Sequence, residues 1–170
     1  AWFSEAYREE YVPTLKEVFD VVGADIVLCV EIKTGASVME RVAADIRSAG
    51  VEDRVIVFSF KPKQVKASKQ YLPSVPALLL VDPGPEGAYR ADAIVEKAKL
   101  VSADLIGLDH AATSEHLVAH LQNDGFPVFM YTVNEERDVE RAVALGVDGI
   151  ITNHPRATMS RVHRLRPPLK

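Results

Sequence analysis

The sequence predicts an α/β fold in which strand–helix units repeat along one parallel sheet. Three observations carry that expectation. Short apolar, β-rich runs recur along the chain; most are continuous rather than alternating, as in strands covered on both faces; and helix-period segments lie between them. Repeated units of this kind join right-handedly and build a single layered domain.

The strand-like runs are Ile26 to Ile32, Arg54 to Phe60, Val75 to Val81, Ala103 to Leu108, Pro127 to Val133 and Gly149 to Thr152. The first helix is expected over Thr14 to Val22. Pro13 precedes it, and Glu17 stands three residues after Thr14, the spacing of a capping box. A second runs from Ser37 to Ala49, with Val38, Val42 and Ile46 on one face and Gly50 as its stop. Shorter helices are expected over Gln64 to Tyr71 and Ala91 to Leu100. Those over Thr113 to Asn123 and Asn134 to Leu145 end before Gly125 and Gly146. The stretch Asp82-Pro83-Gly84-Pro85-Glu86-Gly87 reads as a loop. No Ser/Gly/Pro linker divides the chain, so one domain is expected over 1–155, followed by a basic tail over 156–170 that reads as solvated and frayed, with a polyanion-binding tail as the lesser alternative.

Composition excludes several classes. The 170 residues are 48% hydrophobic and 26% charged, which is ordinary for a globular protein and foreign to a disordered tail or a collagen. No apolar run approaches the roughly 20 residues that span a bilayer, so no membrane span is expected. Twenty basic and 24 acidic side chains give a net charge of -4, the wrong sign for a general nucleic-acid binder. One cysteine excludes an intrachain disulfide framework.

In parallel α/β sheets, chemistry collects where strands end. The first run places Cys29, Glu31 and Lys33 on one face, opposite Val30 and Ile32, which point to the helices. An inward Glu followed by an inward Lys favours an ion pair or a ligand, because burying either alone is costly. The pair reads either as a carboxylate on a metal beside an ammonium on a phosphate, or as a structural ion pair at the rim. The second run exits at Ser59-Phe60, close to Lys61. The fifth exits at Tyr131-Thr132-Val133-Asn134, and the sixth at Thr152-Asn153-His154. These groups suit a polar pocket wall, and equally turns and helix caps. Cys29 reads as a small buried hydrophobe, and His116 and His120 as surface residues despite their metal-like spacing of four. His110 follows the fourth run and reads either as facing the mouth or as bonded within its loop.

Taken in order, these segments resemble the glycerophosphodiester phosphodiesterase family. The resemblance rests on Val12-Pro13-Thr14-Leu15-Lys16-Glu17-Val18, Leu28-Cys29-Val30-Glu31-Ile32-Lys33, Val57-Phe58-Ser59-Phe60, Tyr131-Thr132-Val133-Asn134 and Gly146 to Pro155. It implies a TIM (β/α)8-type barrel, of which about six of eight βα units are present in this chain. It also implies metal-dependent hydrolysis of glycerophosphodiesters to sn-glycerol 3-phosphate and an alcohol, within lipid and glycerol metabolism. The divalent metal, Mg²⁺ or Ca²⁺, would be held through Glu31, and Lys33 would lie at the phosphate as catalytic and substrate-binding residue. Ser59, Tyr131 and Asn134 would join Lys33 in binding substrate. Tyr131 stands where the family commonly has Trp, and Cys29 where it commonly has Asn.

The family's early His-Arg-Gly strand, Glu-x-Asp metal pair and second His have no counterpart here. The six runs are therefore expected to be barrel strands three to eight, and the chain alone is expected to be inactive and a weak metal binder. The alternative is a non-catalytic phosphate-binding or scaffolding incomplete barrel, completed by a partner chain or a second copy. A soluble protein is expected; the compartment is not assigned by these residues, the cytoplasm being only slightly favoured, and any targeting segment would precede them.

Overall fold

In the computed structural model of the chain, residues 4–84 and 87–166 are described. Six parallel strands form one sheet whose spatial order is the order of the chain. They are β1 (Leu28–Glu31), β2 (Val55–Ser59), β3 (Ala77–Val81), β4 (Leu105–Asp109), β5 (Val128–Tyr131) and β6 (Gly149–Ile150). Among the described residues, seven α-helices accompany them: α1 (Leu15–Val21), α2 (Met39–Ala49), α3 (Pro62–Tyr71), α4 (Ala91–Val101), α5 (Glu115–Asn123), α6 (Glu136–Leu145) and α7 (Pro155–Leu165). The strands curl into part of a TIM-type barrel with the helices outside. All six expected runs are strands, and helices form where helical spacing placed them.

The stop and start signals act as their chemistry dictates. Thr14 and Glu17 close a full capping box at the start of α1. Gly50 and Gly146 end α2 and α6 with φ of 64° and 72°, the left-handed conformation that a side chain resists.

Alternation along each strand splits the core into two layers. Outward-pointing Leu79, Val81, Ile106, Leu108 and Val128 pack with Ile94, Val95, Ala98, Leu117 and Leu121 of α4 and α5. Ile32, Val55 and Val57 pack likewise with Phe19 of α1 and with Met39, Val42, Ala43 and Ile46 of α2. Full burial of each large aliphatic side chain stabilises by about 1.5–3 kcal/mol. The inner layer holds Phe58, Leu78 and Leu80, with Ile56, Leu105, Phe129, Tyr131 and Ile151 packed against them. Two strand glycines make room for it. A Cβ on Gly107 would lie 2.7 Å from Leu80 Cδ2 and 2.9 Å from Leu78 Cδ2, and one on Gly149 would lie 2.6 Å from the Phe129 ring. The large side chains of neighbouring strands fill those two gaps.

The C-terminal segment departs from expectation. Residues expected as a frayed tail form α7, with Pro155 at its first turn and Thr158 buried. Val162 packs against the small cluster of Met130, Val139 and Ala142. Arg161 pairs with Glu136 at 3.1 Å and also with Glu140, and Arg166 Nη2 donates to Val143 O at 2.7 Å. The basic charge that suggested a solvated tail complements the acidic face of α6. Among the described residues, no helix is long and apolar enough to cross a membrane.

Candidate active site

At the carboxyl edge of the sheet, β1 delivers Glu31 as its last residue. Glu31 and Cys29 face the concave side, while Leu28 and Val30 face the helices. Lys33 Nζ lies 3.4 Å from Glu31 Oε2, with the two side chains 77% and 33% exposed. The pair expected to be inward is therefore open to solvent. As an isolated ion pair at that exposure it contributes at most about 1 kcal/mol, so stability alone gives little reason for it. Cys29, expected to be buried, is exposed. Its neighbour on the inner face is Ile56 of β2. Partial burial nonetheless pushes its thiol pKa up, the opposite of what activates a nucleophile.

Ser59 is not brought to this face. It is fully buried on the helix side of β2, where its Oγ donates to Ile32 O at 2.7 Å and accepts from Lys61 N at 3.0 Å. Lys61 Nζ donates to Lys33 O at 2.6 Å, and Gln64 Nε2 donates to Thr34 O at 2.8 Å. Ser59 of β2, Lys61 between β2 and α3, and Gln64 of α3 thus hold the backbone that carries Glu31 and Lys33. A small hydroxyl at the end of a strand was legible in the sequence; the face it points to depends on where the β-strand period begins.

Tyr131 ends β5 on the concave side. Its Oη donates to Val81 O at 2.8 Å and lies 3.3 Å from Asp82 Oδ1. Its ring meets Phe60 edge-to-face, with centroids 5.4 Å apart and planes at 83°. Burial, then the charges and dipoles of Tyr89, Asp82 and Asp109, push the Tyr131 phenol far above its ordinary value, so it stays neutral. Asp82 and Tyr89 are residues at this edge that sequence reasoning did not single out. Asp82 is the first residue after an apolar run, the position that had marked the other exits.

Asn134 lies beyond the β5 exit, and its Oδ1 accepts from Asn153 N at 2.9 Å and from Thr152 Oγ1 at 3.3 Å. Thr152 Oγ1 in turn accepts from His154 N at 3.0 Å and from Thr158 Oγ1 at 3.2 Å. The oxygen of Asn134 thus ties the β5 exit to the β6 exit and to the start of α7. His110 packs against α6: its Nδ1 is 3.8 Å from Asp138 Oδ2, and Arg141 Nη1 donates to its carbonyl at 2.6 Å. His120 pairs with Asp92 at 3.2 Å and Asp124 at 3.5 Å on the outside of the molecule.

The donor set does not amount to a self-sufficient cation site. Hard divalent cations take about six to eight oxygen ligands, and Glu31 supplies one carboxylate. Among the described residues, no group of three or more His, Cys, Asp or Glu side chains could hold a metal.

The family model for "Glycerophosphoryl diester phosphodiesterase family" matches residues 1–157. The chain belongs to the glycerophosphoryl diester phosphodiesterase family. It is 30% identical to the glycerophosphodiester phosphodiesterase of Caldanaerobacter subterraneus subsp. tengcongensis, covering 95% of this chain and 66% of that protein. A crystal structure from Silicibacter pomeroyi, assigned as a glycerophosphoryl diester phosphodiesterase, is 26% identical with a TM-score of 0.81. The match covers 91% of this chain and 57% of that one. A phosphodiesterase of Oleispira antarctica, solved in complex with the product sn-glycerol-3-phosphate, shares the fold at 18% identity and a TM-score of 0.74. There the match covers 88% of this chain and 61% of that one. Across three curated relatives in this family, the chain spans 58–66% of their length.

Proposed function

We propose that the carboxyl edge of this sheet is part of a site that hydrolyses glycerophosphodiesters to sn-glycerol 3-phosphate and an alcohol. The observation that carries the reading is the placement of Glu31 and Lys33, side by side and solvent-open at 3.4 Å, on the concave exit of β1. The Lys33 ammonium suits a phosphoryl oxygen, as a compact point charge with three donors. Tyr131, held neutral and backed by Phe60, offers an aromatic wall to the glycerol or the leaving alcohol. Asn134 stands at the rim of the same edge, and its amide nitrogen is the part left for a substrate hydroxyl, since its oxygen is already engaged. Ser59 acts only through the backbone it holds.

The family is generally dependent on a divalent metal, and Glu31 is the group in this chain that suits one, with Mg²⁺ or Ca²⁺ as the candidate ion. A cation there would stabilise charge on the phosphoryl oxygens. Because Glu31 does not make a site alone, weak metal binding by this chain is expected. Phosphodiester cleavage also needs a proton donor for the leaving oxygen. No histidine of the described residues is hydrogen-bonded or ion-paired to Glu31 or Lys33, and the 170-residue chain by itself is expected not to turn over.

Two measurements test this reading. Release of glycerol 3-phosphate from glycerophosphocholine, with Mg²⁺ and then Ca²⁺, should be undetectable for this chain. Calorimetric binding of glycerol 3-phosphate should be weak and lost in Lys33→Ala. Turnover that vanishes in Glu31→Ala would overturn the expected inactivity, and binding indifferent to Lys33 would overturn the assignment of the phosphate position.

A further inference from the structure

Tyr89 belongs to none of the segments that carry the family resemblance, yet it holds the edge where the site lies. The last paired residues of β3 and β4 are Val81 and Leu108. One residue further on, the Asp109 amide donates not to a strand carbonyl but to Tyr89 Oη, at 2.7 Å. That hydroxyl donates onward to Val81 O at 2.9 Å. One oxygen is thus inserted as a rung between two strand ends, accepting from one and donating to the other. A hydroxyl can do both at once, whereas an amine or a carboxylate at this pH cannot.

The insertion has consequences on the concave side. The Val81 carbonyl that accepts from Tyr89 also accepts from Tyr131 Oη, at 2.8 Å, so the anchor of the Tyr131 ring is set by where Tyr89 holds the end of β3. Asp82 follows Val81 directly and lies 3.3 Å from Tyr131 Oη. On the other strand, His110 N donates to Tyr131 O at 2.7 Å, linking the β4 exit to the same residue. The Tyr89 side chain packs against the outer layer, and its hydroxyl reaches the sheet edge. Burial pushes its phenol up to about 12, so it remains a donor across the working pH range. Without that oxygen, the Asp109 amide and the Val81 carbonyl face each other across a gap. They must then close on one another or leave the amide unpaired.

We propose that Tyr89 is a positioning residue of this site: its hydroxyl holds the ends of β3 and β4 apart and thereby fixes the Tyr131 ring where ligand meets it. The inference rests on the proposed function insofar as Tyr131 lines the ligand site.

The test compares Tyr89→Phe with Ile94→Val in the full 170-residue chain. Ile94 lies in the same outer cluster and is 4% exposed, so its truncation reports packing loss alone. In Tyr89→Phe the NMR resonances of the Asp109 amide and the Tyr131 ring should move, and glycerol 3-phosphate affinity should fall about tenfold. In Ile94→Val both should stay as in the unaltered chain. Unmoved resonances in Tyr89→Phe, or unchanged affinity alongside a stability loss like that of Ile94→Val, would overturn the proposal. Should the unaltered chain bind no glycerol 3-phosphate, the proposed function is what fails. The two resonances then decide alone: moved, they uphold the positioning role, and unmoved, they sink it.

Discussion

The two edges of the sheet use their carboxylates differently. At the amino edge, Asp104 Oδ2 accepts from Ala77 N at 2.8 Å and Lys69 Nζ at 2.9 Å, while its own N–H donates to Ala77 O at 2.8 Å. Asp148 repeats the device two strands away. Its Oδ2 accepts from Val128 N at 2.8 Å and Gln122 Nε2 at 2.9 Å, and its N–H donates to Val128 O at 2.8 Å. Each aspartate closes the start of the preceding strand and is fixed by a helix side chain. At the carboxyl edge, among the described residues, Glu31 pairs with Lys33 at 3.4 Å, Asp82 accepts from Tyr131 Oη at 3.3 Å, and Asp109 Oδ1 accepts from Ala111 N at 2.9 Å. A carboxylate takes two protein donors at one end and one at the other. In barrels of this class, that is the division between the face that confers stability and the face that carries chemistry.

The largest stability effect should come from the amino edge. Asp104→Ala and Asp148→Ala each strip a strand-start amide of its acceptor, at residues that are themselves fully buried, Ala77 and Val128. Each should cost about 1–3 kcal/mol in urea unfolding, and the double variant about the sum, because the two share no partner. Costs below a few tenths of a kcal/mol would erase the contrast between the edges. Next comes the inner layer that supports the site. Gly107→Ala drives a Cβ to 2.7 Å and 2.9 Å from two leucine methyls, and the overpacking should cost about 1–3 kcal/mol. An unchanged midpoint would mean that Leu78 and Leu80 can yield. At the carboxyl edge, Glu31→Gln should leave stability within about 0.5 kcal/mol, because it removes only an exposed pair. The same substitution should abolish whatever divalent-cation binding calorimetry detects in the chain. A large stability loss in Glu31→Gln would make the pair a structural one and remove the distinction.

The strands and most helices were legible because apolar runs and glycine stops are local signals. Residues 28–31, 55–59 and 77–81 needed no partner to declare themselves. The site was legible only as a set of exits. Glu31, Lys33 and Tyr131 stand at the carboxyl edge where strand ends placed them, but Ser59 turned out to face the helices, because the β-strand period in β2 sets Phe58 inward and its neighbour outward. Tyr89 was invisible to this logic. It lies on no strand, and its importance comes from a hydroxyl meeting two backbone groups 8 and 20 residues away. The helix α7 was obscured by composition: the basic residues near the end suggested a solvated tail, and the acidic partners of Arg161 lie on a different helix.

The smallest effect comes from a carboxylate outside both edges, and it tests whether partner number is what separates them. Glu17 accepts from the backbone N–H of Thr14 at 2.7 Å, from the Thr14 hydroxyl at 2.8 Å and from the Tyr11 hydroxyl at 2.9 Å. The Thr14 backbone N–H is the largest of the causes that hold its carboxyl below the ordinary value of 4.5. Because the folded value lies below that of the unfolded chain, the stabilising contribution is fully present above the ordinary carboxylate range. It is lost as pH falls through the lowered folded value. The group is fully exposed, so the effect is confined to α1, which should fray from its amino end on acidification while the sheet persists. The Thr14 amide should lose its hydrogen-exchange protection over that window, and Glu17→Gln should remove the pH dependence. The Tyr11 phenol, raised mainly by its hydrogen bond to Glu17, should titrate lower in the same variant. If Glu17→Gln leaves the acid dependence of the Thr14 amide in place, the capping carboxylate is not what governs the start of α1. Counting the donors around a carboxylate would then no longer explain why Asp104, Asp148 and Glu17 act as structural groups while Glu31 is left for a ligand.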